Sequence, residues 1–184
     1  KIMKIALLGC GNIAFWHISA LKDINNVKVV AVCDRDIYQA QKAADLIGDA
    51  NAYSDYKELL EKEKPDVVHV LTPPAFHAEM AIAAMNSGCH IFVEKPMALS
   101  VEEADKMLEA SERNGVKIGT CHNILYSPSV IKARHYIDNG VIGKIVYVNS
   151  FYGLSNEGGS YRASSGKIHW AWNLPGGPFT NFLP

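Results

Sequence analysis

From residue 4 to residue 120 the chain repeats one alternation. A short, nearly unbroken apolar run is followed by a longer stretch in which apolar residues recur at three- and four-residue spacing. Residues 4–8, 27–33 (VKVVAVC), 67–71 (VVHVL), 90–93 (HIFV) and 116–120 predict strands. Residues 13–21, 38–47, 54–60, 75–85 and 100–114 predict helices. Ser54 is the expected N-cap of the third helix. Ser100 and Glu103 form the Ser-x-x-Glu signature of a capping box, and Asn114-Gly115 reads as a helix stop. Strands alternating with helices imply βαβ units and a parallel sheet. The strands are apolar throughout rather than alternating, which is what a sheet covered on both faces requires. The fold class is therefore α/β, a doubly wound parallel sheet of the Rossmann type, over residues 1–121.

The pattern then changes. Residues 129–139 predict a helix closed by Asn139-Gly140, and residues 145–153 (IVYVNSFYG) alternate as a half-buried antiparallel strand does. Residues 158–177 are rich in Gly, Ser and aromatics and read as a loop. One strand cannot make a sheet, and an antiparallel sheet needs about three. Residues 122–184 are therefore expected to open an α+β antiparallel-sheet domain whose remainder lies elsewhere, and Lys1-Ile2 ahead of Met3 fits a fragment.

Composition narrows the partners. The net charge is −1 with 20% charged residues, and no basic block points to nucleic acid. No apolar run reaches the ~18 residues of a membrane span. Cys10, Cys33, Cys89 and Cys121 are widely spaced with no CxxC pair, so no metal site is expected. They read as small buried thiols in a reducing cytoplasm.

The chemistry gathers where strands end. Gly9-Cys10-Gly11-Asn12-Ile13-Ala14 follows one strand and opens a helix. Gly9 permits the turn, Gly11 leaves room for a pyrophosphate, and Ala14 lets helix and strand pack closely. The helix amides at Asn12 and Ile13 face the phosphates. Asp34 ends the second strand, about 20 residues on, where a carboxylate accepts ribose hydroxyls. It favours NAD. Arg35 beside it suits the 2′-phosphate of NADP. The bland reading of Asp34 is a solvated turn residue.

Thr72 and Pro73 break the strand at residue 71, and His77 follows at a helix start, either flanking a cofactor or exposed to solvent. Glu94-Lys95-Pro96 ends the HIFV strand. A lysine there can hold a substrate hydroxyl and take its proton, and Lys-Pro is a candidate cis peptide. The bland alternative is a surface ion pair. His17 reads as structural and His69 as packed core. His169, Trp170 and Trp172 suit either a sugar platform or a loop anchor.

Together GCGNIA (9–14), Asp34, LTPPAFHAEMA (71–81), VEKPMA (93–98) and IGKI (142–145) resemble the Gfo/Idh/MocA oxidoreductases, over nearly the whole chain. EKP preceded by TPP..H is the specific part, and it argues against a methyltransferase using the same turn for adenosylmethionine. The resemblance implies an N-terminal NAD(P)-binding domain and a C-terminal open sheet that often mediates homo-oligomer contacts. It implies hydride transfer between NAD(P) and a sugar or cyclitol hydroxyl. By that pattern Lys95 is the catalytic lysine, Glu94 and Pro96 frame the nicotinamide, and Thr72, Pro73 and His77 line the cofactor cleft. Asn123 and Tyr126 match substrate-side positions, but Leu125 stands where an arginine is common. Asn181 stands where an acid is expected, and the companion histidine position falls just past Pro184. An asparagine can hold a hydroxyl but cannot take its proton. The expected function is an NAD(P)-dependent oxidoreductase acting on a sugar-like alcohol. The alternative is a dinucleotide-binding sensor of the same fold.

Overall fold

A computed structural model describes residues 1–149. The chain divides into two compact units, Lys1–Cys121 and His122–Pro184. The first contains six strands, β1 (Met3–Leu8), β2 (Val27–Cys33), β3 (Asn51–Tyr53), β4 (Val67–Val70), β5 (His90–Val93) and β6 (Ile118–Thr120). Between them lie α1 (Asn12–Lys22), α2 (Ile37–Ile47), α3 (Tyr56–Glu63), α4 (His77–Asn86) and α5 (Val101–Asn114). The strands pair in parallel in the order β3-β2-β1-β4-β5-β6. This is the Rossmann-type doubly wound sheet that the alternation predicts.

Strand β1 shows why the sheet is covered on both sides. Successive side chains point to opposite faces. Ile5 and Leu7 enter one core with Ala14, Ile18 and Leu21 of α1 and Ala40, Ala43 and Ala44 of α2. Ala6 and Leu8 enter the other, with Leu59 and Leu60 of α3, Ala81, Ala84 and Met85 of α4, and Met107 and Ala110 of α5. Alanine dominates the inward faces of α2 and α4, which lets those helices lie close to the sheet.

The order reverses beside β1. The chain runs outward through β2 and β3, then crosses back to place β4 on the other side of β1. Backbones there come very close. A Cβ built on Gly9 would lie 2.8 Å from the Leu71 carbonyl carbon and 2.9 Å from the Thr72 nitrogen, and Gly9 has φ +99°. Only glycine fits both demands.

Some details differ from the sequence reading. Strand β3 was not anticipated; its three residues sit at the sheet edge, too short for a pattern to register. Asp55, not Ser54, caps α3, its carboxylate accepting from the Lys57 amide at 2.8 Å. Both residues are competent caps, and the helix simply starts one residue later. Residues 74–76 form a 3-10 turn, so α4 begins only at His77. In the capping box Ser100 accepts from the Glu103 amide at 3.2 Å, but the Glu103 carboxylate returns to the Leu99 amide rather than to that of Ser100. Gly115 closes α5 in the left-handed conformation.

In the second unit a 3-10 turn covers Asn123–Tyr126 and α6 spans Pro128–Asp138. Residues 145–149 carry no strand, and the rest of the strand anticipated at 145–153 lies outside the described residues. Cys10, Cys33 and Cys89 are buried free thiols; Cys121 is only half-buried, contrary to expectation. Among the described residues no helix is long and apolar enough to cross a membrane.

Replacing Gly9 by Ala imposes both a backbone clash and left-handed strain. It should cost about 3 kcal/mol of unfolding free energy. Urea denaturation within about 0.5 kcal/mol of the parent would contradict the close approach.

Candidate active site

The site follows from where the strands stop. Tyr53, Cys33, Leu8, Val70, Val93 and Thr120 are aligned across the sheet in one continuous register row. The next residues are pinned by one further rung of backbone bonds. Asp34 donates to Tyr53, Gly9 to Cys33, Leu71 to Leu8, Glu94 to Val70 and Cys121 to Val93, at 2.7–3.1 Å. Across the sheet, the residues just past the row read Asp34, Gly9, Leu71, Glu94 and Cys121. With roughly 4.8 Å between strands, about 14 Å separates Asp34 from Glu94. A crevice beyond the carboxyl ends of such strands, at the point of reversal, is where an open α/β sheet binds ligands.

The turn fits a phosphate. Nothing lies within 4 Å of a Cβ built on Gly11. No side chain caps the first turn of α1, and no acid lies in that turn, so its amides and dipole remain available to an anion. Asn12 and Ile13 are exposed at this end. Asp34 is half-buried and already organised. One carboxylate oxygen accepts from the Cys10 amide inside the turn at 2.9 Å, the other from the Asp36 amide at 3.0 Å. A carboxylate oxygen has more than one lone pair, so acceptor capacity remains for ribose hydroxyls. Arg35 is exposed beside it.

His77 is fully buried, which removes the exposed reading. Its Nε2 lies 2.7 Å from the Thr72 carbonyl oxygen and its Nδ1 2.9 Å from that of Pro96. Each ring nitrogen faces a main-chain carbonyl, so His77 lies between the Thr72 and Pro96 loops. A neutral ring carries one N–H and can serve only one of these acceptors. Burial lowers the His77 pKa, while the two carbonyls oppose that shift. The Lys95–Pro96 bond is cis.

Around Glu94 the structure assembles a network that the sequence did not reveal. His17 Nε2 donates to Glu94 Oε1 at 3.1 Å, and His17 Nδ1 lies 3.0 Å from His69 Nδ1. Two facing nitrogens can share only one proton. With that proton on His69 and another on His17 Nε2, every contact is satisfied. Burial drives the His69 pKa down to about 3, aided by the neighbouring His17. Glu94 Oε2 accepts from the Lys95 amide at 3.2 Å. Burial favours a neutral Glu94, but hydrogen bonds from His17, Cys121 and the Lys95 amide hold its carboxyl below the usual range. Lys95 is half-buried. Burial lowers its pKa, with the Glu94 charge and then Cys121 opposing.

His17 Nε2, a Glu94 oxygen and Cys121 Sγ lie within 4.8 Å of one another. A divalent metal ion could use that donor set, but hydrogen bonds among the same groups already account for the grouping.

The comparisons agree with this geometry. Residues 3–122 match the family model described as an oxidoreductase family with an NAD-binding Rossmann fold. The chain belongs to the Gfo/Idh/MocA oxidoreductase family. It is 33% identical over 157 residues to D-glucoside 3-dehydrogenase of Escherichia coli K12, covering 85% of this chain and 44% of that protein. The crystal structure of myo-inositol 2-dehydrogenase from Lactobacillus plantarum superposes with a TM-score of 0.74 at 34% identity, over 80% of this chain and 44% of that one. The WlbA dehydrogenase of Bordetella pertussis, solved in complex with NADH and UDP-GlcNAcA, gives 0.74 at 26% identity, over 78% and 44%. The chain thus spans less than half the length of these relatives.

Of the residues singled out from sequence, Gly9, Gly11, Asn12, Ile13, Asp34, Arg35, Thr72, Pro73, Glu94 and Lys95 all lie at the carboxyl edge of one sheet. Asn123 and Tyr126 are exposed in the second unit, as is Leu125. Trp170 and Asn181 lie outside the described residues.

His69 carries a pH signature. Its folded pKa, about 3, lies below the ordinary value of 6.5. Between those values the unfolded chain binds the extra proton, so stability falls as pH drops through that window. The slope is at most about 1.4 kcal/mol per pH unit. Measured by urea unfolding from pH 6.5 to 5, His69→Phe should flatten this dependence by up to one proton. Identical slopes in parent and variant would mean that His69 is not held neutral.

Proposed function

We propose that the protein is an NAD-dependent oxidoreductase acting on a hydroxyl or ketone of a sugar, cyclitol or related compound, with Lys95 as acid/base. The observation that carries the reading is Lys95 itself. It is half-buried, its pKa is lowered by that burial, and it directly follows Glu94, which lies on the same rung past the strand row as Gly9 and Asp34. A lysine whose pKa moves toward neutrality is better matched to proton transfer than an exposed one.

The residues present fit a dinucleotide laid along the edge. Asp34 receives the adenosine ribose, the turn and first helical amides hold the pyrophosphate, and Thr72, Pro73, Glu94 and the Lys95 main chain frame the nicotinamide half. When bound there, a nicotinamide would supply the hydride-transfer chemistry. Lys95 Nζ takes the hydroxyl proton during oxidation and returns it during reduction. Glu94 stays ionised and keeps Lys95 from losing its proton too readily. Asp34 favours NAD over NADP because its carboxylate repels a 2′-phosphate, with Arg35 the residue that would admit one. The NADH and UDP-GlcNAcA bound to the Bordetella relative support both parts of this reading. Asn123, Tyr126, Trp170 and Asn181 are the proposed substrate contacts. We place the protein in the cytoplasm as a homo-oligomer.

A second reading rests on Asn181 and Leu125. They replace an acid and an arginine of the family pattern, which suits a dinucleotide-binding sensor without turnover.

Binding and chemistry are tested separately. NADH fluorescence with this chain should report saturable binding, weakened at least tenfold in Gly11→Ala. That variant should change stability by less than about 1 kcal/mol, because the added methyl meets no protein atom. Absence of NADH and NADPH binding at millimolar concentrations would sink the cofactor assignment.

In the full-length protein, Lys95→Ala should lower kcat/KM for the oxidised substrate by about 100-fold or more. Unchanged turnover would remove the lysine's role, and no turnover by the parent on a sugar and cyclitol panel would favour the sensor. In the parent's pH profile the acidic limb for hydroxyl oxidation, where Lys95 must be neutral, and the alkaline limb for ketone reduction, where it must be protonated, should both lie below the ordinary lysine value of 10.5. Glu94→Gln should move both lower still, since the Glu94 charge is what raises them.

A further inference from the structure

We infer that His17 is a positioning residue that couples the glycine turn to Lys95 by holding the Glu94 carboxylate. The inference rests on the reading that this edge binds a nicotinamide dinucleotide. Helix α1 starts on the turn at Asn12, and Ala14, His17, Ile18 and Leu21 form its buried face. His17 is thus rigidly connected to the phosphate amides, about 7.5 Å along the helix from Asn12. From there it crosses to the end of β5. Its Nε2 meets one Glu94 oxygen at 3.1 Å, while the other Glu94 oxygen holds the Lys95 amide at 3.2 Å.

The carboxylate is therefore a two-ended link. One end is fixed by the helix that carries the phosphate site, the other by the main chain of the residue proposed for proton transfer. His69 completes the support. It meets His17 Nδ1 at 3.0 Å and packs with its ring edge-on to that of His17, and Phe92 lies against both. With Nδ1 engaged by His69, the His17 ring cannot flip without losing two contacts.

A polar pair could sit here merely to satisfy buried hydrogen-bonding groups. Packing alone, however, does not require the acceptor to be the residue whose other oxygen holds Lys95. Two substitutions separate the roles. His17→Gln places an amide at the reach of Nε2 and can still donate to Glu94. His17→Asn ends near the position of Nδ1, so it keeps a partner for His69 but falls short of Glu94.

The experiment measures NADH dissociation constants for parent, His17→Asn, His17→Gln, Glu94→Gln and the His17→Asn/Glu94→Gln double variant. Urea midpoints confirm that each is folded. The lysine side-chain carbon signals, with Lys95→Arg to assign residue 95, report the Lys95 titration. His17→Asn should weaken NADH at least fivefold and His17→Gln no more than about twofold. The double variant should be no weaker than Glu94→Gln alone, because His17 acts through that carboxylate. The Lys95 midpoint should shift in His17→Asn and return in His17→Gln, since the released carboxylate turns relative to the ammonium.

Equal losses in Asn and Gln variants, independent multiplicative losses in the double variant, or an unmoved Lys95 midpoint would each overturn the inference. If His17→Asn does not fold, the parent, His17→Gln and Glu94→Gln still decide: a fivefold or greater loss in His17→Gln overturns it, and retention supports it. Failure of the parent itself to bind NADH is a different result and strikes the cofactor reading instead.

Discussion

Everything at the proposed site depends on one register row. Six parallel strands end in line, and one more rung of backbone hydrogen bonds holds the first residue beyond β1, β2, β4, β5 and β6. Residues far apart in sequence are thereby set at strand spacing along a single edge. The reversal of order beside β1 adds the second requirement. There the turn after β1 and the loop after β4 touch main chain to main chain, and Gly9 is the contact. A methyl at that point would part the two loops that are proposed to enclose the cofactor.

Much of the fold was legible because its signals are local. Continuous apolar runs mark strands covered on both faces, and Gly9, Ser100 and Gly115 mark a turn, a cap and a stop by chemistry confined to a few residues. Where competing local options were nearly equal, the reading slipped by one residue, as with Ser54 and Asp55. Strand β3 escaped for a different reason. Three residues at a sheet edge owe their conformation to pairing with Ala31, Val32 and Cys33, not to a pattern of their own.

The site divides the same way. Gly11, Asp34 and Lys95 could be named because each sits directly after an apolar run. Cys121 follows a run in the same fashion, and its position just past the last strand was the available signal for its place beside Glu94. His17 and His69 had weaker signals. They lie on inward faces of a helix and a strand, and a buried imidazole needs partners. Which partners is a tertiary matter: His69 is 52 residues from His17, and Glu94 is 77. No window along the chain contains them together. For His77 the sequence left two options open, flanking a cofactor or exposed, for a similar reason: its two main-chain partners come from the loops after β4 and β5.

The electrostatics give this network its sense. Burial disfavours the charged forms of both Glu94 and Lys95. Donors from His17, Cys121 and the Lys95 amide keep the carboxylate ionised, and the carboxylate in turn opposes the loss of charge on the lysine. The lysine pKa is thus lowered by burial and held up by the carboxylate, a balance that suits the proton transfer proposed for it. His69 remains neutral within the same cluster, so it supports His17 without adding a positive charge that would upset that balance. An edge built this way tunes the lysine's proton affinity before any ligand arrives, and it does so with residues from α1, β4, the end of β5 and the end of β6 that only the assembled sheet brings together.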